Sequence, residues 1–372
     1  LITFLLFFIV FSGVMFGIHY FIFQVIAKNL TLSNKTIQWI KWLFIFSGIS
    51  IIAGQMLSRF LNIHFVQYYG YVWLGVISIT FAVLLVASLL KIIMPSGSGI
   101  KVLTALVISL LISIYSFVNN IQEPVLREVE IVTTKSTGVN GEFTILQLSD
   151  VHIDGSTSQK DMKNLVKRVN ALSPDIIVIT GDLIDGRIEK KSPVNLILKK
   201  LKSSNGVYAV TGNHEYYSGI DNFIAFTKRT GIKVLFDEYI DITENISLYG
   251  MKDETSNNSR RSNWTADVLD IVDKDKFNIL IGHRPYGIEK NGVKGIDLQM
   301  AGHTHAGQIP PMDLLVQLVY RYPYGLYRSG NSFIYTSTGT GVWGPPMRFL
   351  SHSEIVLYRI TQGKKISGRI SK

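Results

Sequence analysis

Five of the eight histidines fall in short motifs that also contain Asp, Asn or Gly. In chain order the motifs are Asp150-Val151-His152, Gly181-Asp182-Leu183-Ile184-Asp185, Gly212-Asn213-His214-Glu215, Gly282-His283 and Gly302-His303-Thr304-His305. Carboxylate, amide and imidazole ligands favour Mn, Fe or Zn and disfavour an all-oxygen Mg or Ca site. The chain has no cysteine, which excludes thiolate zinc sites, disulfides and Cys nucleophiles. These residue types predict a metal site with mixed nitrogen and oxygen ligands.

Each of these motifs follows a short apolar, β-branched run that predicts a strand, either directly or after one residue. The runs are Phe143–Leu148, Asp175–Thr180, Val207–Thr211, Phe277–Ile281 and Leu298–Ala301. Ligand sites of open α/β sheets lie at the carboxyl ends of strands, and glycine lets the backbone turn sharply there. Residues i and i+2 of an extended chain project to the same side, so we expect Asp150 and His152 to reach one site. The same argument applies to His303 and His305.

Each motif also has an ordinary explanation when it is taken alone. Asp-x-His is short enough to arise by chance, and Asp in turns often caps a helix. Five such motifs, each at the end of a predicted strand, are much harder to explain without a shared site. We therefore favour one site built from all five.

The remainder of the second part of the chain continues the alternation of strands and helices. Further strands are predicted at Lys233–Phe236, Phe333–Thr336 and Glu354–Ile360, and helices at Lys160–Ala171, Val194–Leu201 and Ile220–Arg229. Strands alternate with helices early and dominate later. This order predicts a layered α/β domain over residues 123–372, with sheet on both sides of its core.

The first 122 residues have a different composition, with six basic residues and no Asp or Glu. Four stretches lack any charged residue: Leu1–Ala27, Trp42–Ser58, Phe65–Leu90 and Val102–Gln122. A helix of about 20 apolar residues crosses the hydrocarbon core of a bilayer. We therefore predict a transmembrane region of four helices over residues 1–122. The positive charge between the helices favours membrane lipids as partners, and no nucleic acid partner is expected.

The basic residues between the predicted spans indicate an orientation. The first loop has Lys28, Lys35 and Lys41, the third has Lys91 and Lys101, and the second has only Arg59. The positive-inside rule places the first and third loops in the cytoplasm. The expectation is a multi-pass protein of the cell membrane in which residues 123–372 lie outside the cytoplasm.

The ordered motif set resembles the calcineurin-like metallophosphoesterase superfamily. The runs Gly212-Asn213-His214-Glu215-Tyr216-Tyr217 and Gly302-His303-Thr304-His305-Ala306-Gly307-Gln308 are most similar to its bacterial membrane-associated, phosphodiesterase-like branch. The resemblance covers roughly residues 143–360 and leaves out the membrane helices. It implies a four-layer α/β/β/α sandwich that holds two divalent metal ions (Mn, Fe or Zn).

Motif by motif, the resemblance also implies a role for each site residue. It assigns the first metal to Asp150, His152 and His305, the second to Asn213, His283 and His303, the bridging position to Asp182, the place beside the leaving group to His214 and a supporting position to Asp185. Asp182 and His214 would be the catalytic residues. One departure is Ala306, where many relatives have glycine.

The implied activity is that of a metal-dependent phosphoric ester hydrolase, a phosphodiesterase or a phosphatase. A hydroxide between the two metals would attack a phosphoester or pyrophosphate bond. Because the chain is membrane-anchored, a lipid-linked or cell-envelope substrate is favoured. The alternatives are a soluble nucleotide or another small phosphoester, or a non-catalytic metal-binding membrane sensor. The intact ligand set with His214 argues against the sensor.

Two further features of the sequence each have two interpretations. Arg348 is either a clamp for a phosphate oxygen or a surface residue after a turn. Residues 308–328 interleave apolar residues with four Tyr and two Arg, which is the composition of an interfacial segment facing the bilayer. Alternatively, Leu314–Val319 is a core helix of the domain.

Overall fold

The computed structural model describes residues 2–61, 63–90, 99–138, 141–155, 157–256 and 267–371. The chain forms two compact units. The first, here called the helical unit, consists of Leu1–Gln122, Gly307–Leu315 and Gly344–Ser351. The second, here called the sheet unit, consists of Glu123–Ala306, Val316–Trp343 and His352–Lys372.

The helical unit contains four long helices, which are α1 (Ile2–Asn29), α2 (Asn34–Leu61), α3 (His64–Leu89) and α4 (Gly99–Asn120). Each includes a stretch that is long and apolar enough to cross a membrane. The prediction of four candidate spans is confirmed. The second helix is longer than its uncharged stretch because it continues back through Lys41 and Lys35 to Asn34. Lys91, expected in the third loop, lies outside the described residues.

Close packing and hydrogen bonds between side chains hold these helices together. A Cβ on Gly54 would lie 2.6 Å from the backbone of Gln67, so α2 and α3 approach closely only because that residue is glycine. Trp73 of α3 donates its indole N–H to Nε2 of His19 on α1, at 2.9 Å. His19 is therefore used for packing between helices.

The sheet unit contains two β-sheets, and the larger has seven strands. In spatial order they are β13 (Ser367–Ile370), β1 (Val125–Thr133), β12 (Glu354–Gln362), β2 (Glu142–Leu148), β3 (Ile176–Thr180), β4 (Val207–Val210) and β5 (Lys233–Val234). Strands β2 to β5 are parallel, so β2, β3 and β4 end at the same edge. Strand β12 runs antiparallel to β2.

The second sheet has six described strands. In spatial order they are β10 (Gly325–Ser329), β11 (Ser332–Thr336), β9 (Leu298–Ala301), β8 (Phe277–Ile281), β7 (Ile246–Gly250) and β6 (Glu238–Thr243). Strands β7, β8, β9 and β11 are parallel, and β6 and β10 are antiparallel edges. The carboxyl ends of β8 and β9 therefore also lie at one edge.

The two sheets pack face to face and each carries helices on its outer face. Alternate residues such as Ile145, Val178 and Met300 form the core between the sheets. The opposite faces of β2, β3 and β4 pack against α5 (Gln159–Ala171), α6 (Pro193–Leu198) and α8 (Ile220–Thr230). The outer face of the second sheet packs against α9 (Ile288–Lys294). The α/β/β/α sandwich expected from the sequence is confirmed.

Two further short α-helices are described. Helix α7 (Asn213–Tyr217) begins three residues after the end of β4, and α10 (Met312–Val319) follows β9 along the chain. The sequence predicted the strand before α7 to run to Thr211, but it ends at Val210.

Candidate metal centre

The ends of β2 and β9 bring together the first group of potential metal ligands. Asp150, His152 and His305 each offer an atom within 4.8 Å of the others. Nε2 of His152 lies 3.1 Å from Nε2 of His305, which in turn lies 3.5 Å from Oδ1 of Asp150. All three residues are buried. These are the residues that the sequence assigned to the first metal.

A second group lies at the ends of β3, β4, β8 and β9. Nε2 of His283 is 3.1 Å from Oδ2 of Asp182, 3.2 Å from Oδ1 of Asn213 and 3.0 Å from Nδ1 of His303. Asp182 belongs to this group but also faces the first, since its Oδ2 lies 4.0 Å from Nε2 of His152. The structure thus brings all seven expected ligand residues into one cluster.

The arrangement of these donor atoms fits two divalent cations. Bonds of about 2.1 Å from a metal to nitrogen or oxygen place neighbouring ligand atoms about 3.0–3.4 Å apart. The separations within each group fall close to that range. Nδ1 of His283 lies 2.9 Å from the carbonyl oxygen of Thr180, to which it donates. That hydrogen bond fixes the ring so that Nε2 of His283 is directed at Asp182, Asn213 and His303.

Burial and close charges shift the protonation of these groups. Burial alone would lower the pKa of His152, but Asp185, Asp182 and Asp150 outweigh it and raise the pKa to about 9. Burial raises the pKa of Asp182, yet His283, His214 and His152 hold it well below its usual range. Burial and the neighbouring His283 lower the pKa of His303 to about 3. His303 is therefore neutral, the form of imidazole that binds a metal.

The backbone at the ligands differs from the extended geometry expected from the sequence. Five of the seven have a positive φ of 49° to 72°, namely Asp150, His152, Asp182, His303 and His305. The explanation by i and i+2 positions of an extended strand is therefore wrong, although Asp150 and His152 do reach one group. His303 and His305 point to different groups. Left-handed backbone at non-glycine residues costs roughly 1–3 kcal/mol each and is concentrated at functional sites.

Glycines that precede the ligands are required because of space. A Cβ on Gly302 would overlap Oγ of Ser149 and Oδ2 of Asp150, and one on Gly212 would overlap Oδ1 of Asp182. A Cβ on Gly181 would lie 2.6 Å from Nδ1 of His283, and Gly181 also has a φ of +88°. The sequence prediction that glycine permits close approach at these strand ends is confirmed. Ala306 adopts a left-handed φ of +52°.

His214 lies beside the two groups and outside both. Its Nδ1 is 2.6 Å from Oδ1 of Asp185, and its Nε2 is 3.9 Å from Oδ2 of Asp182. Asp185 also contacts Nδ1 of His152 at 3.0 Å, so one carboxylate orients two imidazoles. The rings of Tyr217 and Trp343 lie 5.5 and 5.7 Å from the His214 ring.

The sequence analysis gave no role to Glu215, although it stands inside the third motif. Its buried carboxylate accepts the backbone N–H groups of Gly212, Asp182, Leu183 and Ile184, at 2.6 to 3.1 Å. It therefore holds the turn that presents Asp182. The aromatic residues around the cluster were also missed. They are Tyr217 and Trp343 beside His214, and Tyr320, whose ring lies 5.8 Å from that of His303.

Arg348 belongs to the helical unit, where its side chain is fully buried. Its backbone N–H donates to the carbonyl of Ser116, at 2.8 Å. This burial excludes the interpretation of Arg348 as a surface residue after a turn. Its role in binding a phosphate oxygen stays a prediction.

Comparison with known proteins gives consistent matches. The family model described as calcineurin-like phosphoesterase matches residues 143–307. An uncharacterized metallophosphoesterase of Helicobacter pylori is 39% identical over 250 residues, which are 66% of this chain and 66% of the relative. A Danio rerio protein named transmembrane protein with metallophosphoesterase domain is 32% identical over 70% of this chain and 62% of its own length. An uncharacterized metallophosphoesterase of Aquifex aeolicus is 32% identical over 62% of this chain and 89% of its own length.

Proposed function

The chain belongs to the calcineurin-like phosphoesterase family, and from that premise we propose that it is a metal-dependent phosphoric ester hydrolase. One observation carries the proposal. Oδ2 of Asp182 lies 3.1 Å from Nε2 of His283 and 4.0 Å from Nε2 of His152, so the carboxylate faces both groups of ligands. This is the position of a ligand shared by two cations.

The proposed ligand sets follow the two groups, with Asp182 shared between them. They are Asp150, His152 and His305 for one ion and Asn213, His283 and His303 for the other, with Mn, Fe or Zn as the ions. When bound, two such ions polarise a phosphoryl group and lower the pKa of water. No Ser or Cys nucleophile is required.

His214 has a separate role in this proposal. Asp185 accepts a hydrogen bond from its Nδ1 and thereby fixes the orientation of the ring. The opposite nitrogen, Nε2, is then available to donate a proton or a hydrogen bond to the leaving oxygen. Asp185 acts through His214 and is a positioning residue.

We infer that the substrate is lipid-linked or part of the cell envelope. Four candidate membrane spans in the same chain support this choice, because they keep the enzyme at a bilayer. Chain connectivity also supports it. Two segments of the helical unit begin at Gly307 and Gly344. Gly307 lies two residues after His305, and Gly344 directly follows Trp343. From the basic residues between the spans and the positive-inside rule, we also propose that the domain of residues 123–372 lies outside the cytoplasm of a cell-membrane protein.

A soluble nucleotide is the second candidate, and one observation favours it. Tyr217 and Trp343 flank His214 and are 62% and 49% exposed. Exposed aromatic rings at this distance from the leaving-group side can stack on a nucleobase. The same rings also suit the apolar part of a lipid, so the choice between the two needs an assay.

The test uses the full chain purified in detergent and loaded separately with Mn, Fe or Zn. Release of phosphate or headgroup is measured from a lipid phosphodiester in mixed micelles and from a soluble nucleotide. We expect hydrolysis of both substrates to require metal, with a higher kcat/KM for the lipid phosphodiester than for the nucleotide. A higher kcat/KM for the nucleotide would favour the second candidate, and metal binding without any turnover would favour a sensor.

Asp182→Asn tests the ligand assignment in the same assay. The variant should lose metal, measured by elemental analysis, together with activity. Asp241→Asn is the matched control. Asp241 lies on the edge strand β6, away from the cluster, and pairs with Lys276. If Asp182→Asn kept two metals and full activity, the assignment would be wrong.

A further inference from the structure

Helix α10 exposes five of its six apolar side chains. None of its eight residues, all of which the structure describes, is buried. Five apolar side chains are 49% to 83% exposed, namely Met312, Leu314, Leu315, Leu318 and Val319. The alternative that residues 314–319 form a core helix therefore does not hold. A contiguous exposed apolar patch of this kind marks an interaction surface.

The polar residues of α10 lie on one side of the helix. Asp313 and Gln317 are four positions apart and therefore share a face. Leu314 and Leu318 share the neighbouring face, and Leu315 and Val319 extend it. This separation is typical of a helix that lies at a boundary between water and an apolar medium.

The residues that lead into α10 pack within the helical unit. Ser78, near the middle of the candidate span α3, donates its hydroxyl to the carbonyl of Pro310, at 2.8 Å. Ile309 and Met347 are buried in one cluster with Ile79 of α3. Pro310 precedes the first residue of α10 by only two positions. Helix α10 thus begins next to a segment that packs against the middle of a candidate span.

Side chains donate hydrogen bonds to three carbonyl groups in the irregular backbone of this region, as a membrane location demands. Asn119 of α4 donates its amide to the carbonyls of Arg348 and Ser351, at 2.9 and 2.8 Å. Gln308 donates to the carbonyl of Pro345 at 2.7 Å. Non-helical backbone persists at membrane depth only where protein groups supply such partners.

We propose that α10 is a membrane-embedded helix that does not cross the bilayer, and that its apolar face contacts lipid acyl chains. The occupant of the face is the lipid bilayer itself. Two observations support this occupant over a protein: α10 continues a segment packed on a candidate span, and its exposed face consists of aliphatic side chains. The proposal is independent of the hydrolytic activity.

The absence of cysteine from the chain makes a direct test possible. Leu318→Cys is labelled with a nitroxide, and the full chain is reconstituted in phosphatidylcholine–phosphatidylglycerol vesicles. Relaxation of the label by oxygen, which concentrates in lipid, is compared with relaxation by a water-soluble nickel chelate. The matched control is Leu196→Cys on α6, since Leu196 is an apolar residue that is 68% exposed.

We expect oxygen to dominate at position 318 and the nickel chelate to dominate at position 196, with a several-fold difference in their ratio. Leu314→Cys should behave like position 318, and Gln317→Cys should show a lower ratio than either. If position 318 behaved like position 196, the proposal would be overturned. Dipolar broadening between labels at position 318 would also overturn it, because a second copy of the chain would then cover the face. Relaxation of the spin label does not depend on hydrolysis. A protein without hydrolytic activity would therefore leave this proposal intact.

Discussion

Oδ1 of Asp185 lies 2.6 Å from Nδ1 of His214, and this contact directs the imidazole toward the cluster. Replacing Asp185 with Asn removes the charge that orients both His214 and His152. Supporting residues of this kind are typically worth about 10–100-fold in metal affinity or activity. We expect Asp185→Asn to lower kcat by about that factor, measured on metal-saturated protein. Asp241→Asn should leave kcat unchanged, and an unchanged kcat in Asp185→Asn would remove Asp185 from the mechanism.

His214 should matter most for substrates with poor leaving groups. General acid catalysis contributes about 10²–10⁴-fold, and a leaving group that departs without a proton does not need it. We therefore expect His214→Ala to slow hydrolysis of an alkyl phosphodiester by about that factor and a 4-nitrophenyl ester far less. Metal content should not change.

The control for His214 is His352→Ala, because His352 is exposed and lies outside the motifs. It should leave both rates unchanged. Equal losses of His214→Ala on the two substrates would show that His214 does not protonate the leaving oxygen.

A methyl group at position 302 should disturb the first ligand group. The Cβ of Gly302→Ala would overlap Oγ of Ser149 and Oδ2 of Asp150. Overpacking of this kind costs about 1–3 kcal/mol. We expect a lower melting temperature and a lower metal content, measured by thermal unfolding and elemental analysis. Gly17→Ala is the control, because its Cβ would meet no atom within 4 Å. A stable Gly302→Ala with both metals would contradict the tight packing at this position.

The orientation of the chain is testable with the same cysteine-free background. Leu196→Cys lies on the sheet unit, and Thr31→Cys lies between α1 and α2, in the loop that the positive-inside rule places in the cytoplasm. A membrane-impermeant maleimide should label position 196 in intact spheroplasts and position 31 only after lysis. The reverse pattern would place the sheet unit in the cytoplasm.

The residue types of the site could be predicted from the sequence, because each expected ligand stands within four residues of the end of a strand of four to seven residues. The strands before Asp150, Asp182, Asn213, His283 and His303 were all predicted, and β8 and β9 have the predicted bounds. Strands β1, β6, β7, β10 and β13 were not predicted. Strands β1 and β6 carry charged residues within the run, such as Arg127 and Glu128 in β1, which weaken the apolar pattern.

The sequence by itself determined which residue types come together in the candidate metal centre. It also determined how many apolar helices precede them and which family motifs they form. Only the tertiary structure decided that five ligands adopt left-handed backbone, because that strain is imposed by contacts from several strands at once. It also decided the role of Glu215, whose four N–H partners include three residues more than thirty positions away along the chain. Finally, it decided that α10 is exposed, because a short and mostly apolar run has the same sequence pattern in a core as on a surface, and only its neighbours distinguish the two.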